Sequence, residues 1–513
     1  MKKILFLFIT GLSFSVLHSQ EVSDALRYSQ ENLTGTARFR SMGGAFGAVG
    51  GDLSSLSINP AGSAIFSNNQ VGVTLSNQNI KNNSNYFGTQ SSDKENSFIL
   101  NQAGGVFVFH DRNPNNNWRK ISIGASYETT NNFDSNTISF GTNPTHSIDQ
   151  YFLSYANGDP SHNIAPVSLG NITNIDYRDQ FYQEQQAAFG YYGQVINPVS
   201  NNNNNTQYTS NVPVGSNPAR SDYYHENTLN ERGYNSKVSF NIGTSFKDRL
   251  YLGANLNVHI TDYTRSSTFY EDNNNDLQSG YTISSLRFNN EQHTYGNGFS
   301  FQLGAIGKVT ESFRLGIAYE SNTWYELYDE ISQNLYTTLE ASTGQPINTS
   351  NNPGIINVYD PYTLQTPGKF TFSGAYVFGK SGLISVDYSI KDYSNTKFKP
   401  TSDEGFRRLN DDISNDLTSA GELRVGAEFK IKQLSLRGGY RFEASPYKNG
   451  TTIGDLNSYS GGLGYNFGTT KIDLAYSYLE RKSNQGFFER GFTDGANITS
   501  KLNNVSLTLL FEL

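Results

Sequence analysis

The feature that most constrains this chain is the strict alternation of apolar and polar side chains over stretches of about ten residues, a length that suits a membrane-crossing strand. From Leu250 to Ile260, the residues Leu250, Leu252, Ala254, Leu256, Val258 and Ile260 alternate with Tyr251, Gly253, Asn255, Asn257 and His259. Successive side chains of a strand point to opposite faces, so one face is apolar and the other polar. Repeated along the chain, with no long apolar run beyond the N-terminus, this pattern predicts an all-β fold: a transmembrane antiparallel β-barrel with lipid outside and water inside.

Composition agrees. Only 36% of the 513 residues are hydrophobic and the mean hydropathy is −0.54, which excludes a helical membrane protein. A barrel needs apolar residues only at alternate strand positions, and polar loops dilute the average. The 33 Tyr and 34 Phe suit aromatic girdles at the two membrane interfaces, although a large soluble β-protein is also Tyr-rich. Residues 1–19 read as a signal peptide, with Lys2 and Lys3, an apolar run from Ile4 to Leu17, and a cleavage point near Ser19 and Gln20. The absence of Cys removes a lipoprotein anchor and any disulfide framework. A net charge of −8 without a basic stripe gives no reason to expect nucleic acid as a partner.

Residues 20–68 lack alternation and are rich in Gly, as in Gly43-Gly44-Ala-Phe-Gly47-Ala-Val-Gly50-Gly51. Strand patterns occupy 69–513, near 70–75, 98–109, 119–131, 233–246, 249–270, 284–309, 313–333, 366–379, 382–398, 420–431, 433–444, 456–468, 470–482 and 501–513, which makes about 14 strands. From the fourth strand on, tight links at Lys247-Asp248, Thr310-Glu311, Gly379-Lys380-Ser381 and Lys432 alternate with long polar connections at 132–232, 334–365, 399–419 and 483–500. Barrels pair short periplasmic turns with long external loops, and an even strand number puts both ends of the barrel on the periplasmic side. The Asn tracts Asn201 to Asn205 and Asn273 to Asn275 fall in the external connections as solvated loop.

So many strands enclose a lumen wider than side chains alone fill, and an unplugged barrel would be an aqueous pore. The Gly-rich segment is predicted to fold back into it as a hatch, with Asn59-Pro60 as a stiff turn, since Pro fixes φ and lacks an N–H. Asn255, Asn257 and His259 then face a plugged lumen, where His259 is either a hydrogen-bonded wall residue or part of a ligand passage. Seven scattered His residues and no Cys give no metal site. Asp272-Asn-Asn-Asn-Asp276 lacks the Gly at position six and the terminal Glu of a calcium loop. No nucleophile-elbow spacing points to an enzyme, and no cofactor is implied. Asp403, Glu404, Asp411 and Asp412 read as a solvated surface, with divalent bridging to anionic glycolipid as the alternative.

The segment Gly35-Thr-Ala-Arg38-Phe39-Arg40-Ser-Met-Gly-Gly-Ala-Phe46 through Asn59-Pro60-Ala61-Gly62 resembles the N-terminal hatch of the FadL-type outer-membrane transporters. Thr366-Pro-Gly-Lys-Phe-Thr-Phe-Ser-Gly-Ala-Tyr376 and Ile384-Ser-Val-Asp-Tyr-Ser389 are similar to that family's middle strands. Leu436-Arg-Gly-Gly-Tyr-Arg-Phe-Glu-Ala-Ser-Pro446, Ser458 to Phe467 and Ile472 to Tyr478 are similar to its late strands. Ile453-Gly454-Asp455 departs from a familiar Ile-Pro-Asp, and the 132–232 loop is long for the family, which leaves the substrate open. The resemblance implies a Gram-negative outer-membrane monomer, embedded among lipid and glycolipid. It implies passive uptake of a hydrophobic small molecule, a long-chain fatty acid or an aromatic hydrocarbon, with hatch movement and sideways exit at a kinked strand. Gly104-Gly105 is the candidate kink, or equally a place where small residues accommodate the hatch. In the hatch, Phe39 and Phe46 are candidates for apolar contact, while Arg38 and Arg40 either meet a carboxylate or pair with an acidic lumen residue. The competing readings are a general aqueous porin and a loop-based adhesin or structural barrel.

Overall fold

The computed structural model describes residues 20–113, 115–159, 164–217 and 221–513, so the signal region 1–19 lies outside the described residues. The alternating stretches form 14 staves. They are β1 (Gln70–Tyr86), β2 (Thr89–His110), β3 (Trp118–Asn132, continued by Ser135–Asn143), β4 (Tyr223–Phe246), β5 (Leu250–Asn273) and β6 (Thr282–Lys308). There follow β7 (Phe313–Glu320 and Thr323–Glu340), β8 (Ile347–Asn351, Asn357–Val358, Tyr362–Thr366 and Lys369–Val377), β9 (Gly382–Asp392), β10 (Ser419–Ile431) and β11 (Leu434–Glu443). The last are β12 (Ile453–Asn466), β13 (Thr470–Gly486) and β14 (Gly495–Glu512). Each pairs antiparallel with the next, and β14 pairs with β1 from Gln70↔Glu512 to Asn85↔Asn497, which closes the sheet. Closure removes the free edges that an open sheet would leave in hydrocarbon, where an unpaired backbone group costs several kcal/mol, and the ladder is interrupted where β2 and β3 part beyond Gln102.

The wall is inverted relative to a soluble protein. On β5, Leu256 is 56% exposed and faces lipid, while Asn255 and Asn257 on the other face are buried at 1% and 0%. Phe240 and Ile242 on β4, Leu315 and Ile317 on β7, Ile384 and Val386 on β9, and Val505 and Leu507 on β14 extend the outer apolar band.

Several stretches read as connections are structured. Residues 76–97 continue β1 and β2 as one tall hairpin, turned at Phe87-Gly88 with both residues at positive φ, the geometry of a tight two-residue hairpin turn. Above the bilayer the outer face meets water and not lipid, so polar side chains stand on both faces of the hairpin and the apolar alternation disappears while pairing continues; 334–340, whose inner Leu335 and Leu339 pack under the cap, and 483–486 are strand as well.

The segment 20–68 lies inside the barrel as the helices α1 (Val22–Arg27), α2 (Ala37–Ser41) and α3 (Ser55–Ile58) and a 3-10 turn, Pro60–Ile65. The long 132–232 connection builds a cap from α4 (Asp149–Ala156), α5 (Leu169–Asn174) and α6 (Tyr182–Tyr192). Its core of Phe152, Phe189, Val195 and Ile196 packs on Phe269, Phe288, Leu335 and Phe492 from the tall staves and the last loop. Buried rings stack edge-on, as Phe152 on Phe288 at 5.4 Å. The 399–419 connection holds α7 (Glu404–Asp416), which turns Phe406 and Ile413 toward Ala25 and Leu26 of α1.

Candidate functional site

Hatch and wall meet where the wall carries glycine. A Cβ at Gly253 would lie 2.4 Å from the Pro60 carbonyl, and one at Gly304 would lie 2.0 Å from Asn59 Oδ1. Gly316 and Gly426 similarly admit the backbone of Gly47 and Met42. Each of these glycines sits at an inward position of its strand, where the pattern otherwise supplies a polar side chain.

Asn59 is the seam. Its Nδ2 donates to Gly47 O within the hatch at 2.8 Å and to the wall carbonyls of Ala305 at 3.1 Å and Ile317 at 3.4 Å, while its Oδ1 accepts from Ala61 N. Pro60 opens the 3-10 turn, and its carbonyl accepts from Asn241 Nδ2 at 3.0 Å. Asn255 Nδ2 donates to Leu56 O at 2.9 Å, which ties a predicted lumen residue to the hatch. Asn257 and His259 bond instead to Ser300 on the neighbouring stave, so His259 is a satisfied wall residue in this state.

The hatch candidates separate. Arg38 forms a two-pronged pair with Glu428, at 2.9 and 3.2 Å, and lies over the Phe46 ring at 5.1 Å. Of its two predicted roles, this state shows pairing with an acidic lumen residue. Arg40, only 2% exposed, donates to Ser477 Oγ at 3.2 Å. Phe39 and Phe46 stack at 5.5 Å in the hatch's own core with Leu33, Met42 and Val49 rather than around an open pocket. The sequence reading missed Asp387, whose Oδ2 accepts from Phe46 N and Gly47 N at 2.9 Å each. Its inward register on β9 and its charge were the available signal.

Between α1 and α2, the hatch residues 28–34 thread a belt of charge. Lys369 binds Glu31 at 2.7 Å and Glu320 at 3.0 Å, Lys391 donates to Ser29 O at 2.6 Å, and Arg441 donates to Glu31 O at 3.1 Å. Arg424–Glu422 and Arg441–Glu443 pairs continue the belt. Voids between these groups are only about 10 to 30 Å³.

The wall is irregular beside this belt. β2 and β3 pair only from His110↔Lys120 to Gln102↔Glu128. Beyond Gln102 they part, and Asn101 bulges out of the β1–β2 ladder. The irregularity therefore falls at Asn101 and not at the expected Gly104-Gly105, which pair in step with Ser126 and Ala125. Phe98 and Leu100 on β2 still face lipid here, at 70% and 43% exposure. Side chains span the parting: Thr129 Oγ1 donates to Leu100 O and Ser97 Oγ to Asp134 Oδ2, while Asn32 N of the hatch donates to Thr130 O. At the outer surface, Arg178, Gln180 and Gln185 together with Phe181, Ile356 and Val358 line a groove of about 540 Å³ between the cap and the outer part of β8.

A family model described as outer membrane protein transport protein (OMPP1/FadL/TodX) matches residues 184–506. The chain belongs to this family. It is therefore an outer-membrane β-barrel transport protein of the Gram-negative type and not an enzyme. No curated protein matches it. Among solved structures, a Pseudomonas aeruginosa FadL homologue is 14% identical, covering 94% of this chain and 99% of its own, with a TM-score of 0.55, and it shares the fold. The Pseudomonas putida toluene transporter TodX (13% identity, 94% and 99% coverage, TM-score 0.49) and the Ralstonia pickettii toluene transporter TbuX (14%, 94% and 99%, 0.47) are similar over the same extent.

Proposed function

We propose that this FadL/TodX-family member takes up hydrophobic small molecules passively, with long-chain fatty acids as the foremost substrate class. The observation that carries the reading is the parting of β2 from β3 within the lipid-facing band, against a hatch segment that fills the lumen. An axial aqueous pore would need neither. A solute leaves water in the outer groove at Phe181, Ile356 and Val358, gaining about 0.8 kcal/mol per buried methylene. It moves beneath the cap, the hatch yields, and it departs sideways between β2 and β3 into the bilayer. The toluene transporters among the similar structures favour an aromatic hydrocarbon as the second class.

The test is uptake of a labelled long-chain fatty acid and, in parallel, of labelled toluene. Cells carry the intact protein, Asn59→Ala, or no gene. Uptake that depends on the gene and changes with Asn59→Ala supports the reading, and the labelled compound that responds fixes the class. Equal uptake of both compounds in all three strains refutes it. Steady conductance of the intact protein in planar bilayers would assign a porin instead.

A further inference from the structure

We propose that the periplasmic rim of this barrel is a docking ring for anionic phospholipid headgroups of the inner leaflet, an interaction separate from transport. The chain has a formal net charge of −8, yet the rim is basic. Each of the turns that close β2–β3, β4–β5, β6–β7, β8–β9, β10–β11 and β12–β13 has a cation within it or within two residues: Arg112 and Arg119, Lys247 and Arg249, Lys308, Lys380, Lys430 and Lys432, and Lys471. Lys471 pairs with Glu512 and Lys430 with Glu428. The carboxylates that remain are Asp111, Asp248 and Glu311. Asp111 accepts from Asn113 N at 2.7 Å and Asp248 from Ser245 Oγ at 3.1 Å, and with Glu428 and Glu512 counted the five carboxylates stand against the nine cations named, which leaves the rim basic. Lys247, Arg249, Lys380 and Lys432 are exposed and form no ion pair with any described carboxylate, whereas Lys308 turns inward over the buried Tyr251 ring at 5.4 Å.

A second observation sets the depth of this charge. An aromatic girdle lies directly on the bilayer side of the same turns: Phe109, Trp118, Tyr376, Phe378, Tyr465 and Phe467 are 45% to 64% exposed. Trp118 packs on Phe246 at 5.1 Å, and Lys247 Nζ lies 5.4 Å from the Phe246 ring. Aromatic girdles occupy the interface between hydrocarbon and headgroups. The exposed cations of the turns themselves, Lys247, Arg249, Lys380 and Lys432, stand next to this girdle and so at phosphate depth rather than in open periplasm. A phosphodiester accepts charge-assisted hydrogen bonds from both Lys and Arg. Glycolipid belongs to the opposite leaflet and cannot occupy this ring, so the occupant is a monoanionic phospholipid such as phosphatidylglycerol.

Full-length protein in neutral detergent is titrated with phosphatidylglycerol or phosphatidylcholine, and retained lipid is counted by native mass spectrometry. The comparison uses K247Q/R249Q/K380Q/K432Q at the rim and K94Q/R287Q/K482Q at the outer end, with heat-modifiable gel mobility reporting a closed barrel. Intact protein is expected to prefer phosphatidylglycerol about tenfold, the rim variant to lose the preference and the outer variant to keep it. If the combined rim variant does not fold, K247Q and K380Q singly are expected to lower the preference in steps. No preference in the intact protein, a preference untouched by the rim substitutions, or equal loss in both combined variants overturns the proposal.

Discussion

Replacing Gly304 by Ala tests whether the hatch is seated by the absence of wall side chains. Alanine costs a strand nothing relative to glycine and removes backbone entropy from the unfolded chain, so the barrel itself should form. The new methyl, however, would lie 2.0 Å from Asn59 Oδ1 and 2.9 Å from Pro60 Cδ, where ordinary contact begins at 3.4 Å. Asn59 must therefore withdraw by about 1.4 Å, the difference between those two distances. That displacement breaks its bonds to Gly47 O, Ala305 O and Ala61 N. At about 1 kcal/mol net per bond, with about 1–3 kcal/mol of overpacking strain, hatch docking weakens by about 4–6 kcal/mol. Since about 1.4 kcal/mol is a factor of ten, the undocked population rises by roughly a thousandfold or more. Gly307→Ala is the control, because a Cβ there meets nothing within 4 Å. The assay is conductance in planar bilayers with limited proteolysis of residues 20–68. Gly304→Ala is expected to open frequently and expose the hatch, and Gly307→Ala to match the parent. Unchanged conductance and protection in Gly304→Ala, or opening in both, refutes the seating argument.

Asp387→Ala strands the buried N–H groups of Phe46 and Gly47, at about 1–3 kcal/mol each, so amide exchange in the hatch should speed up; Asp387→Asn, which keeps an acceptor, should fall between. In the cap, burial, opposed by a hydrogen bond from Ser210, pushes the Asp149 carboxyl up to about 6. The folded pKa lies above the ordinary 3.8, so cap stability is greatest below about pH 4 and falls by about 3 kcal/mol as pH rises to about 6. Exchange protection over 149–196 should follow that curve, and Asp149→Asn should flatten it. Leu256→Arg on the lipid face should cost about 2–4 kcal/mol in folding titrations from urea into vesicles, whereas a loss below 1 kcal/mol would place Leu256 outside the hydrocarbon. A disulfide in S97C/D134C, whose parent side chains meet at 2.7 Å, would lock β2 to β3. Uptake that stops on oxidation and returns on reduction is expected, and uptake indifferent to the lock excludes sideways exit.

The parts of this fold that were legible in the sequence are those where the bilayer imposes a two-residue period. Leu250 to Ile260 declares its own faces, and so do Phe240, Ile242, Val505 and Leu507. Where the outer face meets water and the inner face packs on polar neighbours the code falls silent, which is why Asn82 and Ser84, buried against Thr137 and Ser139, and Ser91 in the tall hairpin read as connection although they are strand. The cap escaped for a different reason. Phe152 and Phe189 find their partners at Phe288 and Phe492, far away in sequence, and such a core leaves no local period. In the hatch, Asn59-Pro60-Ala61 was visible as a stiff turn, but Asp387, Glu428 and the facing Gly304 become meaningful only when register brings them to it.

The charged belt and the parting of β2 from β3 bear on one question, the direction in which an apolar solute leaves. On the axial route it would have to separate Lys369 from Glu31 and displace Arg441 from the Glu31 carbonyl. Breaking one buried pair without replacing it costs about 3–5 kcal/mol, and an alkyl chain offers no replacement. On the lateral route the main-chain ladder has already ended at Gln102, and the parting is spanned by side-chain bonds and no buried ion pair of the belt: Thr129 to Leu100 O, worth about 1 kcal/mol, and Ser97 to the Asp134 carboxylate, worth about 1.5–3 kcal/mol. Water and small ions rank the routes the other way, since they solvate the belt and are excluded by the lipid beside Phe98 and Leu100. On the proposed reading, the belt that keeps hydrocarbon off the axis and the bulge at Asn101 that lets it out at the side therefore select apolar solutes together, without any energy input.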